Sequence, residues 1–334
     1  MTEFAAGTRT PAALGIEIGG TKLQSAVVAA DGSVLLCRAD RIDPAGGAEG
    51  IRSVLAAQIA GIVEDASENR LAIDAVGIGF GGPVNRDRGL VATSFHVGGW
   101  SNFPLAAWVA EQVRDRLGEV PVILENDSNA AALGEALVGA GRGARVVVYS
   151  NAGSGIGSGL VIHGRLYRGR ADGEMELGHI RLTREGGILE ETSAGWAIDR
   201  RVREAVAADP GGALAREAAA TTMPASARLL PGVLAVGDAT AQTILDEAAG
   251  HYAHGLSHVV HLINPDVIVL GGGVATIGEP WRASVERQLE PLIMAPLRPG
   301  PPVRLATLGE DVVPVGAALA ALDAAIESSR SDAP

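Results

Sequence analysis

Cysteine is almost missing from this chain of 334 residues. Cys37 stands alone, so neither a disulfide framework nor a cysteine-based zinc site can form within one chain. Long apolar runs are missing too. No stretch approaches the length of a membrane-spanning helix, and the opening MTEFAAGTRTPAALG lacks a charged-then-apolar signal pattern. The cytoplasm is the expected location. Positive charge is in deficit, with a net charge of −12. A field of that sign opposes binding to nucleic acid and to acidic membranes. It does not oppose a phosphate-bearing ligand held by local backbone amides and a metal. Aromatic residues make up 3% of the chain against 45 glycines. Those glycines are not spread as linker but cluster after apolar runs.

Apolar strands alternating with helical patterns predict α/β layers with mostly parallel sheets. After a lead over residues 1–12 that reads as unstructured, strands are expected at 14–18, 23–29 and 33–38, the last two joined by the Asp31-Gly32 turn. A helix follows over 47–67, where Ile51, Leu55, Ile59 and Ile62 recur every three or four residues. Next come a strand at 73–80, a helix at 104–117, a strand at 121–124 and a helix at 127–138. The opening pattern then returns: strand 145–150, a glycine turn over 151–157, strand 158–162, the His163-Gly164 turn and strand 165–168. This is an internal repeat about 130 residues apart. Two such α/β halves facing each other would form a cleft lined by both glycine turns. Helices at 196–207 and 239–262, a loop-rich stretch 208–238 with one short helix, a strand at 266–270 and helices at 280–292 and 315–327 complete the reading. The tail SSRSDAP reads as frayed.

Two familiar glycine motifs fail on context. Gly77, Gly79 and Gly82 match G-x-G-x-x-G, but Pro83 follows and no helix opens there. GIEIGGTK misses the P-loop pattern by one residue and also lacks the helix. What remains is a glycine turn inside a hairpin, twice. Missing side chains let backbone N–H groups approach phosphate oxygens, with Thr21 and Ser154 as hydroxyl donors and Lys22 as a charge. One such turn is better read as a tight hairpin and nothing more; two matched turns and a third cluster at 271–273 favour phosphate binding.

Other polar groups keep two readings. Asp127 is placed to accept a proton from a hydroxyl, with Asn126 on a neighbouring hydroxyl. Taken locally, either residue is better explained as a helix N-cap. Glu174, Glu176, His179, Glu190 and Glu191 form a sugar-holding set or a solvated acidic loop with equal ease. His251, His254, His258 and His261 suggest a metal face, but Gly255 occupies the place of the glutamate in an HExxH site, and a packed helix explains them better.

Six motifs in order then carry a resemblance: GIEIGGTK at 15–22, GFGGPVN at 79–85, ENDSNAAALGE at 125–135, GSGIGSGLVIHGRLYRG at 153–169, ELGH at 176–179 and NPDVIVLGGGV at 264–274. From about residue 14 to 325 the chain resembles the ROK group of bacterial sugar kinases and repressors. The resemblance implies an actin-like (ribonuclease H-like) fold of two α/β domains around a cleft: 13–126 with 314–328, and 127–313. It implies phosphorylation of a hexose or N-acetylhexosamine by ATP. Asp127 would be the general base. Asn126, Glu176, His179 and Glu190, with Gly82 and Ser94, would contact the sugar. Gly19, Gly20, Thr21 and Lys22, and Gly153, Ser154 and Gly155, would face the phosphates. Gly271 and Gly272 would flank the adenosine. Mg2+ would ride on the phosphates, with Glu17 nearby through water. A homodimer is expected.

Two departures stand out. The group usually has Asp where this chain has Glu17. The usual zinc-binding cysteine cluster after the E-x-G-H histidine is replaced by IRLTREGGILEE at 180–191, so no zinc site is expected and Ile188 and Leu189 should hold the loop by packing. About a dozen residues precede the first strand, too few for the helix-turn-helix of the repressor branch. The alternatives are a non-catalytic sugar- or nucleotide-binding regulator on the same fold, or an actin-like ATPase acting on no sugar.

Overall fold

The computed structural model describes residues 10–20, 22–94, 97–170, 173, 175–221 and 224–331. They form two compact units. The first draws on 1–138, 168–174 and 308–334, the second on 139–167 and 175–307. The first boundary falls after the helix that begins at residue 127, where the sequence reading had placed it before that helix.

In the first unit, strands β1 (Ala12–Ile18), β2 (Lys22–Ala29) and β3 (Val34–Arg41) lead into helix α1 (Gly47–Glu68). Strand β4 (Ala75–Phe80) is followed by a small hairpin of β5 (Val84–Asn85) and β6 (Leu90–Val91) that the sequence pattern did not announce. Helix α2 (Leu105–Leu117), strand β7 (Val122–Asn126) and helix α3 (Asp127–Leu137) follow. The sheet order is β3-β2-β1-β4-β7, antiparallel across β3-β2-β1 and parallel from β1 through β4 to β7.

One face of this sheet packs on α1 and α2, where Ile51, Leu55, Ile59 and Ile62 are buried as their spacing predicted. The other face packs on the C-terminal helix. There small and branched side chains such as Ala13, Val28, Val315 and Leu319 cluster, and glycines let the backbones approach closely. A Cβ on Gly15 would lie 1.9 Å from the Pro314 carbonyl oxygen, and one on Gly77 would lie 1.9 Å from that of Ala317.

In the second unit, β8 (Val146–Ala152), β9 (Ile156–Ile162) and β10 (Arg165–Leu166) precede α4 (Glu190–Ser193) and α5 (Gly195–Ala208). The stretch 208–238 holds two short helices rather than one, α6 (Ala213–Ala220) and α7 (Leu230–Ala235). The long helix α8 (Ala239–Ile263), strand β11 (Val267–Gly271), helices α9 (Gly272–Ala275) and α10 (Glu279–Leu289) and strand β12 (Val303–Leu305) complete it. The order β10-β9-β8-β11-β12 repeats the first sheet strand for strand, with the same antiparallel hairpins and parallel ladder. The internal repeat read in the sequence is thus a repeat of topology.

The core of this unit is made of side chains, with Tyr252 and Trp281 in edge contact at 5.4 Å. The histidines of α8 behave as parts of a packed helix. His254 and His258 lie ring to ring, and His261 Nε2 accepts the Met294 N–H. The chain then returns to the first unit as α11 (Val312–Ser331), three residues earlier than the spacing had suggested and running into the tail expected to fray. No described helix is long and apolar enough to cross a membrane.

Candidate active site

Parallel pairing aligns strand ends. Gly79 lies opposite Glu17 on one side and Glu125 on the other, and Phe80 lies opposite Ile18 and Asn126. The carboxyl ends of β1, β4 and β7 therefore deliver Gly19-Gly20, Gly81-Gly82 and Asn126-Asp127 to one edge of the first sheet, where open α/β folds hold ligands. The first turn closes by a hydrogen bond from Gly19 N–H to the Lys22 carbonyl, 2.9 Å. Thr21 lies outside the described residues. Lys22 Nζ is engaged by the Glu310 carbonyl at 3.1 Å and by the carboxylates of Glu310 and Glu17 at 3.4 and 3.6 Å.

Asn126 does two things at once. Its Oδ1 accepts the N–H groups of Ser128 and Asn129, capping α3, while its Nδ2 donates to the Gly82 carbonyl at 3.2 Å. The cap and the candidate binding group are one residue, so the two sequence readings do not exclude each other. Asp127 Oδ1 accepts from Ser128 N–H at 2.7 Å and Ser128 Oγ at 3.2 Å, and its Oδ2 faces Gly81, where a Cβ would come within 3.4 Å. Ser94 lies nearby as the backbone folds: its Oγ accepts from Val97 N–H, and it lines a small cleft with Gly20, Gly81, Phe80, Val97 and Trp100.

Glu17 is the electrostatic outlier of this edge. Burial raises its carboxyl pKa to about 7, with Asp127 adding in the same direction and Lys22 opposing. Its buried Oε2 has no hydrogen-bond partner. Two carboxylates influencing each other, one short of hydrogen bonds, suit a divalent cation carried in on phosphate oxygens. Among the described residues no group of three or more His, Cys, Asp or Glu is placed to hold a metal by itself.

In the second sheet, β8 ends at Ala152 and β11 at Gly271, which pairs with Asn151, so Gly153–Gly155 and Gly271–Gly273 share an edge. This turn is braced from outside. Glu190 Oε2 accepts the Ile156 N–H at 2.8 Å, the Gly195 N–H donates to the Gly153 carbonyl at 2.8 Å, and Asn151 Oδ1 accepts from Gly157. Ser154 is exposed on it. Gly272 has φ +78°, and a Cβ there would strike the Ala152 carbonyl at 2.5 Å. Gly271 backs onto Tyr149. Gly178 rests on the Ile156 carbonyl, which brings the Glu176–His179 turn, with both of those side chains exposed, to the residue that Glu190 holds. The sequence reading placed Glu125 beside Asn126 and Asp127 at the strand end without a role, and missed Arg86 and Arg168: Arg168 Nη1 sits 2.5 Å and Arg86 Nε 3.6 Å from the buried Glu125 carboxylate. No motif signals that meeting, because the three residues are up to 82 positions apart.

Residues 13–324 match the ROK family. The chain belongs to that family. A glucokinase of Thermotoga maritima is 33% identical over 275 residues, 80% of this chain and 83% of the relative. A glucokinase of Streptomyces coelicolor is 31% identical over 319 residues, 91% of this chain and 96% of the relative. Among solved structures, a ROK family glucokinase from Streptomyces griseus in complex with glucose and AMPPNP matches with a TM-score of 0.77 and 31% identity, over 93% of this chain and 99% of that one. The fold is the actin-like ATPase fold of the ROK sugar kinases.

In this ROK chain the loop over 180–191 closes on itself. Arg181 and Ile188 form a β-bridge, and Leu182 N–H donates to the Gly187 carbonyl. Leu189 is fully buried against Gly255 in α8, as packing required. Ile188 is not: it stays half-exposed, and its N–H is held by the Glu191 carboxylate at 3.2 Å. Leu189, with Ile180 and Leu182 packed against the same core, and the Glu191 carboxylate hold the loop.

Proposed function

We propose that this chain is an ATP-dependent sugar kinase that transfers the γ-phosphoryl group to a hydroxyl of a hexose or N-acetylhexosamine. The observation that carries the reading is the first sheet's edge, where the Asp127 carboxylate stands beside a glycine turn and close enough to Glu17 for their charges to interact. The ATP analogue and glucose in the Streptomyces griseus relative, and the glucokinases among the curated relatives, support donor and acceptor class and do not favour a non-catalytic regulator.

Asp127 accepts the proton of the acceptor hydroxyl, with Oδ1 fixed by Ser128 so that the carboxylate keeps one orientation. Asn126, Gly82, Ser94, Glu176, His179 and Glu190 bind sugar hydroxyls. Gly19–Lys22 and Gly153–Gly155 present N–H groups to the phosphates, and Gly271-Gly272 flank the adenosine. Mg2+ would ride on the phosphates with Glu17 nearby through water, and would supply neutralisation of phosphate charge. The active form is a cytoplasmic homodimer.

The test is ADP release with ATP and Mg2+ across a panel of hexoses and N-acetylhexosamines. Stimulation by one sugar is expected, and Asp127→Asn should lower kcat by about 10²–10⁴ with folding intact. ATP binding without stimulation by any sugar would overturn the reading.

A further inference from the structure

Glu125 is a carboxylate only 2% exposed, one residue from the acceptor-binding Asn126 and two from the proposed base. Burying a charge there is costly unless it is paired and hydrogen-bonded. Its two oxygens are used differently. Oε1 accepts from the Asn126 N–H at 3.1 Å and from Asn129 Nδ2 at 3.2 Å, residues that bracket Asp127 on either side. Oε2 takes the charge contacts, from Arg168 at 2.5 Å and Arg86 at 3.6 Å. Neither Oε2 nor Arg86 Nε makes an aligned hydrogen bond, so that half of the cluster is held by charge rather than by geometry.

The two arginines arrive from separate places. Arg86 directly follows β5, just past Gly82, whose carbonyl takes the Asn126 amide. Arg168 lies two residues beyond β10 and belongs to the first unit, whereas β10 itself belongs to the second. Three chain segments, at 82–86, 125–129 and 168, are therefore tied to one carboxylate. An apolar residue of similar size would fill the space at lower desolvation cost. What it could not do is hold the Asn126 N–H and the Asn129 amide while being pulled toward two cations.

We propose that Glu125, clamped by Arg168 and Arg86, is a positioning residue for phosphoryl transfer. It fixes the corner between β7 and α3 so that the Asp127 carboxylate meets the acceptor hydroxyl in one orientation. A shift of about an ångström at such a corner lowers turnover far more than it lowers binding. This inference rests on the kinase reading.

The experiment compares the parent with Glu125→Gln, Arg168→Met, Arg168→Lys and the double variant Glu125→Gln/Arg168→Met, measuring kcat, the two KM values and sugar-independent ATP hydrolysis. Gln keeps an oxygen for the Asn126 N–H and Asn129 but removes the charge that the arginines clamp. Glu125→Gln and Arg168→Met should each lower kcat about 10–100-fold, with the KM for ATP within about threefold and sugar-independent hydrolysis unchanged. Arg168→Lys should recover about tenfold of the Arg168→Met loss. The double variant should be no more than about threefold below the worse single variant, because the two act as one pair.

The proposal is overturned if the folded single variants turn over within twofold of the parent, if their losses multiply in the double variant, or if ATP KM rises and hydrolysis falls together with kcat. Arg168 is one-third exposed, so its two variants carry the test should Glu125→Gln fail to fold. A parent without sugar-dependent ADP release overturns the kinase reading; an active parent with equally active variants overturns this inference alone.

Discussion

The two sheets share one strand order but are packed by different means. In the first unit glycines bring backbones into contact where α11 meets the sheet and α3: Gly15 against Pro314, Gly77 against Ala317, and Gly316 against the Ala130 carbonyl of α3, where a Cβ would come within 1.7 Å. In the second unit α8 contributes Ile244, Leu245, Tyr252, Leu256 and Val260 to a core of side chains, and its glycines meet side chains: Gly255 faces Leu189, and Gly250 the amide end of Gln288. Backbone against backbone leaves no room to adjust, whereas a side chain can move to another rotamer. The same topology thus tolerates change unequally in its two copies.

The glycine turns differ in the same way. The first carries Lys22 between the carboxylates of Glu17 and Glu310 and has Asp127 near, so it is a charged edge. In the second the polar contacts run to the backbone, through Glu190, Asn151 and Gly195. One turn is tuned by charge and the other by shape.

Four substitutions measure this contrast. Gly77→Ala should be the most damaging: the new Cβ meets a main-chain carbonyl in a buried layer, and a loss of about 4 kcal/mol or more, or failure to fold, is expected in chemical denaturation. Parent-like stability would break the comparison. Leu256→Ala in the side-chain core of the second unit should cost about 2–4 kcal/mol, the range for a buried Leu, with the fold retained.

Glu17→Gln tests the charged turn. The folded carboxyl titrates near 7 against an ordinary value of 4.5, so the folded state holds more protons between these values, and its stability falls as pH rises through that window. The variant should therefore be more stable than the parent above pH 7, by about 1–3 kcal/mol, with the advantage vanishing near pH 4.5. Thermal melts at pH 5 and pH 8 without nucleotide check this, and an equal difference at both would refute it. Gly250→Ala should have the smallest effect, within about 1 kcal/mol of neutral, because helix propensity gains what moving Gln288 costs. A loss as large as that of Gly77→Ala would show that the second unit is no more tolerant than the first.

Much of this was legible in the residues. The spacing of Ile51, Leu55, Ile59 and Ile62 marked α1, the hairpin turns marked both β-ribbons, and six motifs in order marked the ROK family. The 84–91 hairpin and β12 were not legible, because strands of two or three residues carry no periodicity. No local spacing signals that α3 is held by α11, about 180 residues later in the chain, through Gly134 and Gly316. Thr21 lies outside the described residues, so its part in the first turn rests on the motif alone.

By itself the sequence determined the element types, the repeat and the family, since these follow from local spacing and from residues close together in the chain. Only the tertiary structure decided that Asn126 caps α3 and holds the Gly82 carbonyl together, that burial lifts the Glu17 carboxyl, and that Arg86 and Arg168 converge on Glu125. Charge pairing and desolvation depend on distance in space, and residues 86, 125 and 168 become neighbours only once the chain has folded.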